Sequence, residues 1–318
     1  MSSRRHLNKL YVVLLAVILA ACQGQSGSQT EHVAPDTMGT LVSTEWLSEH
    51  LNDPDLVVLD CTVRMEMDAS GGMRSVSGRS DYEDGHIPTA GFADLKGELR
   101  DGDSPLEFGM PTPEEFCAAM GALGVGDNSR VVLYDNFNSV WASRVWWMLR
   151  WAGFDRAALL DGGMKAWTAE DRPLSTEPAP YQARQLTPHQ RPELIAYHDE
   201  VFAALDNDAV CLVDAMPEAH FNGEMALYGC PGHIPGAINV PATALIDESG
   251  RYRSEEELAA LCEDDHNARV ITYCGGGIAA SSNAFVMHRL GYTDVAVYMA
   301  SLQEWAADSA NPLAVGRP

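Results

Sequence analysis

The chain has 318 residues, 46% of them hydrophobic, and carries 45 acidic against 21 basic side chains for a formal charge of -24. That length suggests about two domains of ordinary size. So acidic a surface repels nucleic acid and anionic lipid headgroups, and nucleic acid is not expected as a partner.

The N-terminus reads as a targeting segment. Arg4, Arg5 and Lys9 form a basic start, and Leu10–Ala21 is an apolar run too short to span a bilayer comfortably. The run ends Leu19-Ala20-Ala21-Cys22, which resembles a bacterial lipobox with Cys22 as the lipidated residue. Residues 1–21 are therefore expected to be a lipoprotein signal peptide and 22–40 a polar tether. The expected location is the bacterial cell envelope, with a lipid anchor and on the periplasmic side in a Gram-negative cell. Of the remaining cysteines, Cys61 and Cys211 sit in strand patterns and Cys117 and Cys262 in helical ones, as buried free thiols do. Their spacing fits neither a small disulfide framework nor a zinc site.

The body is written twice. The first copy (41–172) runs through a strand Leu56–Asp60, the segment Asp84-Gly85-His86-Ile87-Pro88 and a helix Pro113–Leu123. A strand Arg130–Tyr134, a helix Ala142–Trp151, a strand Ala157–Leu160 and Trp167 follow. The tryptophans at 141, 146, 147 and 151 have near-helical spacing and read as core or domain interface. A linker over 173–195 follows, rich in prolines such as Pro178, Pro180 and Pro188. The second copy (196–318) repeats the order: strand Val210–Asp214, Gly232-His233-Ile234-Pro235, helix Ser254–Cys262, strand Val270–Tyr273, helix Ala279–Leu290, strand Val295–Tyr298 and Trp305. Strands alternating with helices predict an α/β fold of two domains, each a mainly parallel sheet flanked by helices.

The copies part at one point. After Tyr273 come Cys274, Gly275, Gly276 and Gly277, then the helix. A cysteine at the carboxyl end of a strand, followed by glycines and a helix N-terminus, sits in a ring of backbone N–H groups that stabilises a thiolate. The first copy has Asp135-Asn136-Phe137-Asn138 there, and a carboxylate cannot act as a sulfur nucleophile. The first domain is expected to be inactive.

Two tandem copies, each with an Asp-ending strand and a Gly-His-Ile-Pro segment, with a Cys loop only in the second, resemble the rhodanese family of sulfurtransferases. The resemblance covers about Leu41 to Leu313 and implies two rhodanese-like domains. It implies transfer of a sulfane sulfur from an anionic donor (thiosulfate or 3-mercaptopyruvate) to cyanide or a thiol, through a persulfide on Cys274. Gly275, Gly276, Gly277, Ile278 and Ala279 would complete the substrate-binding loop, and no cofactor or metal is implied. The glycine at 275 is more like the mercaptopyruvate branch. The family's two donor-clamping arginines fall at Met216 and His220 here, 276 lacks the lysine of some members, and Ala279 replaces a threonine. Candidate donor contacts in their place are His220, His233 and Arg253. Cys230 is a candidate resolving thiol, and its pairing with Cys274 would point to a redox role. The missing arginines favour the alternative reading, a low-turnover persulfide- or thiol-binding or redox module of the cell envelope. A phosphatase would need an arginine six residues after the cysteine, where Ala280 stands.

Overall fold

The computed structural model describes residues 38–67, 73–262 and 266–316. Cys22 and the expected leader lie outside the described residues. The first repeat runs β1 (Leu41–Val42), α1 (Thr44–His50), β2 (Leu56–Asp60), β3 (Val63–Met67), β4 (Met73–Ser77), α2 (Arg79–Asp84), β5 (Gly91–Phe92), α3 (Pro113–Ala122), β6 (Arg130–Tyr134), α4 (Val140–Trp151), β7 (Ala157–Leu160) and α5 (Gly163–Ala169). The second runs β8 (Ile195–Ala196), α6 (His198–Ala204), β9 (Val210–Asp214), α7 (Glu218–Phe221), β10 (Ala226–Leu227), β11 (Cys230–Pro231), β12 (Ile238–Asn239), α8 (Glu255–Ala259), β13 (Arg269–Tyr273), α9 (Ile278–Arg289), β14 (Val295–Tyr298) and α10 (Ser301–Trp305).

Each repeat builds a parallel five-stranded sheet, in the orders β1-β7-β6-β2-β5 and β12-β9-β13-β14-β8. These are the same topology, and the continuous apolar strands β2 and β6 are buried because helices cover both faces. Each repeat also inserts an antiparallel hairpin, β3–β4 in the first and β10–β11 in the second. Helix α3 starts on a capping box, Thr112 with Glu115, and α8 on another, Ser254 with Glu257. The helix expected over Ser254–Cys262 is shorter: past Ala259 the N–H groups of Leu261 and Cys262 bond three residues back, a tighter turn that ends it.

The stretch after α5 is irregular yet tied down. Ser175 pairs with His86, the Tyr181 hydroxyl accepts the Val58 N–H at 2.7 Å, and Arg184 and His189 bond the backbone of Gly121 and Ala152. It is a strap along the first repeat rather than a free tether.

The helices that follow the two loops, α4 and α9, pack against each other. Trp146 meets the edge of Phe285 at 4.9 Å, and Tyr252 packs on the same ring at 5.2 Å. The tryptophans at 146 and 147 are at most 1% exposed. Phe285→Ala should therefore cost about 3–5 kcal/mol in chemical denaturation, the range for a large buried aromatic. A loss below about 1 kcal/mol would mean that the two helices do not hold the repeats together.

Candidate active site

The strand β13 delivers Cys274 to its carboxyl end, where open α/β sheets place their sites. Cys274 is 3% exposed. Its backbone is clamped by the first turn of α10: the Cys274 N–H donates to the Ser301 hydroxyl at 3.1 Å, and Leu302 and Gln303 N–H groups donate to the Cys274 and Gly275 carbonyls at 3.0 and 2.9 Å. Ser301 holds a left-handed conformation (φ 51°), uncommon for a residue with a side chain. Gly277 caps α9 at φ 75°, and a Cβ there would meet Arg144 Nη1 at 2.5 Å and the Met299 carbonyl at 2.6 Å. A Cβ at Gly275 would overlap the ring of Tyr228, which lies across the loop from the turn of the β10–β11 hairpin. At Gly276 the nearest atom, Gln303 Oε1, is 3.7 Å away.

The first repeat displays the same cradle filled. Asp135 Oδ1 accepts N–H groups of Phe137 and Ser139 at 2.7 and 3.0 Å, and Oδ2 those of Trp141 and Ala142 at 2.9 Å each. The loop and helix N-terminus enclose an anion. In the second repeat Cys274 stands in that place, but the loop is one residue shorter: Gly277, left-handed like Ser139, caps α9, so the helix N–H groups equivalent to those of Trp141 and Ala142 belong to Ala279 and Ala280.

Beneath the Cys274 loop lies Arg144, reaching over from α4 and 1% exposed. Its Nη2 donates to the Phe108 carbonyl at 2.8 Å, its Nη1 contacts the Gly277 carbonyl at 3.4 Å, and Met299 and Met110 sulfurs complete its surroundings. Burial pushes its guanidinium down to about 10, and the Cys274 thiol is the one charge partner that acts on it among the described residues. The sequence signal for it is a lone cation inside the apolar stretch Val140–Leu149.

Cys274 opens into a cavity of about 320 Å³ between the repeats. Gly275, Gly276, Ile278 and Ala279 line it, together with Trp141, Phe108 and Met216. The candidate donor contacts do not. His220 is fully buried and turned away, its Nε2 against the Cys230 carbonyl at 3.1 Å, so it fastens the β10–β11 hairpin. His233 bonds the Phe221 carbonyl at 2.9 Å and stacks on that ring, as His86 does on Tyr82. Arg253 donates to the Ala244 carbonyl at 2.9 Å and faces Glu257. Cys230 is also outside the lining, its thiol 3.8 Å from the Leu227 carbonyl. All six described cysteines are free. Sequence neighbourhood to Asp214 misleads here, because α7 and the hairpin carry His220 and Cys230 away from the loop. Trp141, Tyr228, Ser301 and Gln303 were not legible as site residues.

Asp60 and Asp214 end equivalent strands and accept the N–H groups of Thr62 and Met216 at 2.8 and 2.7 Å. Burial raises the Asp214 carboxyl to about 7, against the Met216 N–H and Tyr273 hydroxyl that favour its charged form. An unfolded aspartate titrates near 3.9, so the native chain holds a proton that the unfolded chain releases. That stability is full below about pH 4 and is lost as pH rises through about 7. Asp214→Asn, which keeps the acceptor, should flatten the fall in urea midpoint between pH 5 and 8; an unchanged slope would remove Asp214 as its source.

Comparison with known proteins agrees with this architecture. The family model described as "Rhodanese-like domain" matches residues 43–170 and 198–308. The chain is 32% identical over 278 residues to 3-mercaptopyruvate sulfurtransferase of Escherichia coli, covering 86% of this chain and 96% of the relative. It is 34% identical over 278 residues to thiosulfate sulfurtransferase of Cricetulus griseus, covering 83% and 91%. The crystal structure of SseA from Escherichia coli, described as a 3-mercaptopyruvate sulfotransferase with the rhodanese fold, superposes with a TM-score of 0.72 at 30% identity, covering 83% of this chain and 99% of that one. With both repeats matched and the relatives covered almost end to end, the chain belongs to the rhodanese family of sulfurtransferases.

Proposed function

We propose that this enzyme carries a sulfane sulfur on Cys274 as a persulfide and passes it to a thiol or to cyanide. The observation that carries the reading is the buried guanidinium of Arg144 behind the Cys274 loop, with no carboxylate in ion-pair distance among the described residues. A buried cation without a counterion is unfavourable, so the site is completed when Cys274 is a thiolate or a persulfide anion. The thiolate attacks the transferable sulfur of the donor, and the bond that holds it (S–S in thiosulfate, C–S in 3-mercaptopyruvate) breaks with its electron pair on the leaving group, sulfite or the enolate of pyruvate. The acceptor thiolate or cyanide then attacks that same sulfur, and the pair of the Cys274 S–S bond returns to Cys274. Loop N–H groups and Arg144 stabilise the anion before and after each transfer, without rearrangement. The lipobox-like ending at Cys22 supports a place in the cell envelope. The redox alternative has less support, since the Cys230 thiol faces the Leu227 carbonyl outside the cavity.

Incubation of the protein with a sulfane donor should add the mass of one sulfur, removed by cyanide and absent in Cys274→Ser. A disulfide between Cys230 and Cys274 in place of that gain would move the redox reading ahead. Arg144→Met should slow iodoacetamide alkylation of Cys274 about tenfold, equivalent to about 1.4 kcal/mol. If a variant that melts normally is alkylated at the wild-type rate, Arg144 has no part in activating the thiol.

A further inference from the structure

The walls of the Cys274 cavity carry a substrate preference that rests on the sulfur-transfer reading and goes beyond it. Met65, Phe108, Phe137, Trp141, Met216 and Ile278 form its sides. No Lys, Arg or His side chain lines it among the described residues, and its one charged side chain, Glu107, is already paired with Lys96 at 2.8 Å. Met216, 5% exposed, lines the cavity just past the Asp214 cap and brings no charge to it. Arg144 lies on the far side of the loop, bonded toward the Gly277 carbonyl, and so acts on the cysteine sulfur rather than on a donor's distal group. The apolar surface runs on to the mouth, where Met65 is 45% and Phe137 54% exposed.

A small dianion entering this cavity gives up its hydration without receiving a cation in exchange. A hydrocarbon body gains by the same desolvation. We propose that the donor is an organic sulfane-sulfur compound with an apolar, ring-sized body, charged no further than at its reacting end. With an organic persulfide, R–S–SH, the Cys274 thiolate bonds to the terminal sulfur and the donor's S–S bond breaks. Its electron pair leaves on R–S⁻, the hydrogen stays on the transferred sulfur, and no external oxidant or reductant is consumed.

Three stable probes test the assignment on the full-length protein: thiosulfate, methanethiosulfonate and benzenethiosulfonate. With the thiosulfonates the thiolate takes the outer sulfur and the sulfinate leaves with the electron pair of the broken S–S bond. Persulfide formation on Cys274 is followed by mass spectrometry at sub-saturating donor, each rate divided by that of the same donor with free cysteine. Benzenethiosulfonate should load Cys274 about 30-fold faster than methanethiosulfonate, about 2 kcal/mol, with thiosulfate slowest. Phe137→Ser, at a half-exposed position, should shrink the preference for the ring. Gly276→Lys, where a Cβ meets only Gln303 Oε1 at an ordinary 3.7 Å, should raise thiosulfate loading about tenfold. Equal corrected rates for the two thiosulfonates, or thiosulfate loading as fast as benzenethiosulfonate, would overturn this assignment and leave sulfur transfer through Cys274 standing. No gain of sulfur from any of the three, nor from 3-mercaptopyruvate, would overturn the sulfur-transfer reading itself, and this assignment with it.

Discussion

The contact on which the molecule turns is a guanidinium buried between two repeats. Arg144 belongs to the first repeat and has its closest backbone acceptors in Phe108 of its own repeat and Gly277 of the other. A charge at 1% exposure is tolerable only where acceptors converge on it, and convergence requires α4 and α9 to pack as they do. The repeat without a nucleophile is therefore part of the site. It contributes the cation behind the loop and, through Phe108, Phe137 and Trp141, a wall of the cavity.

Duplication explains how the nucleophile's cradle came to be legible in its mute copy. The loop after β6 wraps the Asp135 carboxylate with four backbone N–H groups. The loop after β13 is one residue shorter, enters its helix through the same kind of left-handed cap, and holds a sulfur instead. Burial raises the Asp135 carboxyl to about 7, opposed by those N–H bonds. A cradle that accommodates a carboxylate in one repeat is suited to a thiolate or persulfide in the other, since what it offers is donors and a helix N-terminus rather than a shape for one atom.

The parts of this arrangement that the sequence displayed are those set by local periodicity. The strands Leu56–Asp60, Val210–Asp214 and Val295–Tyr298 fall where apolar runs place them, and α4 and α9 differ from their expected bounds by two residues or fewer. Cys274 stood out because a thiol before three glycines is a local pattern. Arg144 did not, because its role depends on a contact spanning 133 residues. Tyr228 and Ser301 are similar cases: one reaches Gly275 from a hairpin, the other holds the Cys274 N–H from a strained turn after β14. The expectation that His220 would stand in for a missing arginine assumed that a residue near Asp214 in sequence stays near the loop. Helix α7 and the β10–β11 hairpin take His220 into the core, where its Nε2 faces the Cys230 carbonyl.

The loop's own glycines limit where specificity can be written. Gly275 is closed by the Tyr228 ring above it, and Gly277 by Arg144 and Met299 below it together with its left-handed backbone. Neither can accept a side chain without displacing a residue that shapes the site. Of the three, Gly276 alone has room for a side chain, its nearest neighbour being Gln303 Oε1 at 3.7 Å. Gly276 lines the cavity beside Ile278, Ala279 and Met216, and in this chain all four are uncharged. The nucleophile and its support are thereby separated from the walls that meet a donor: Arg144 lies behind the loop at the Gly277 carbonyl, while Met216, Gly276 and the aromatic side chains of the first repeat face the cavity.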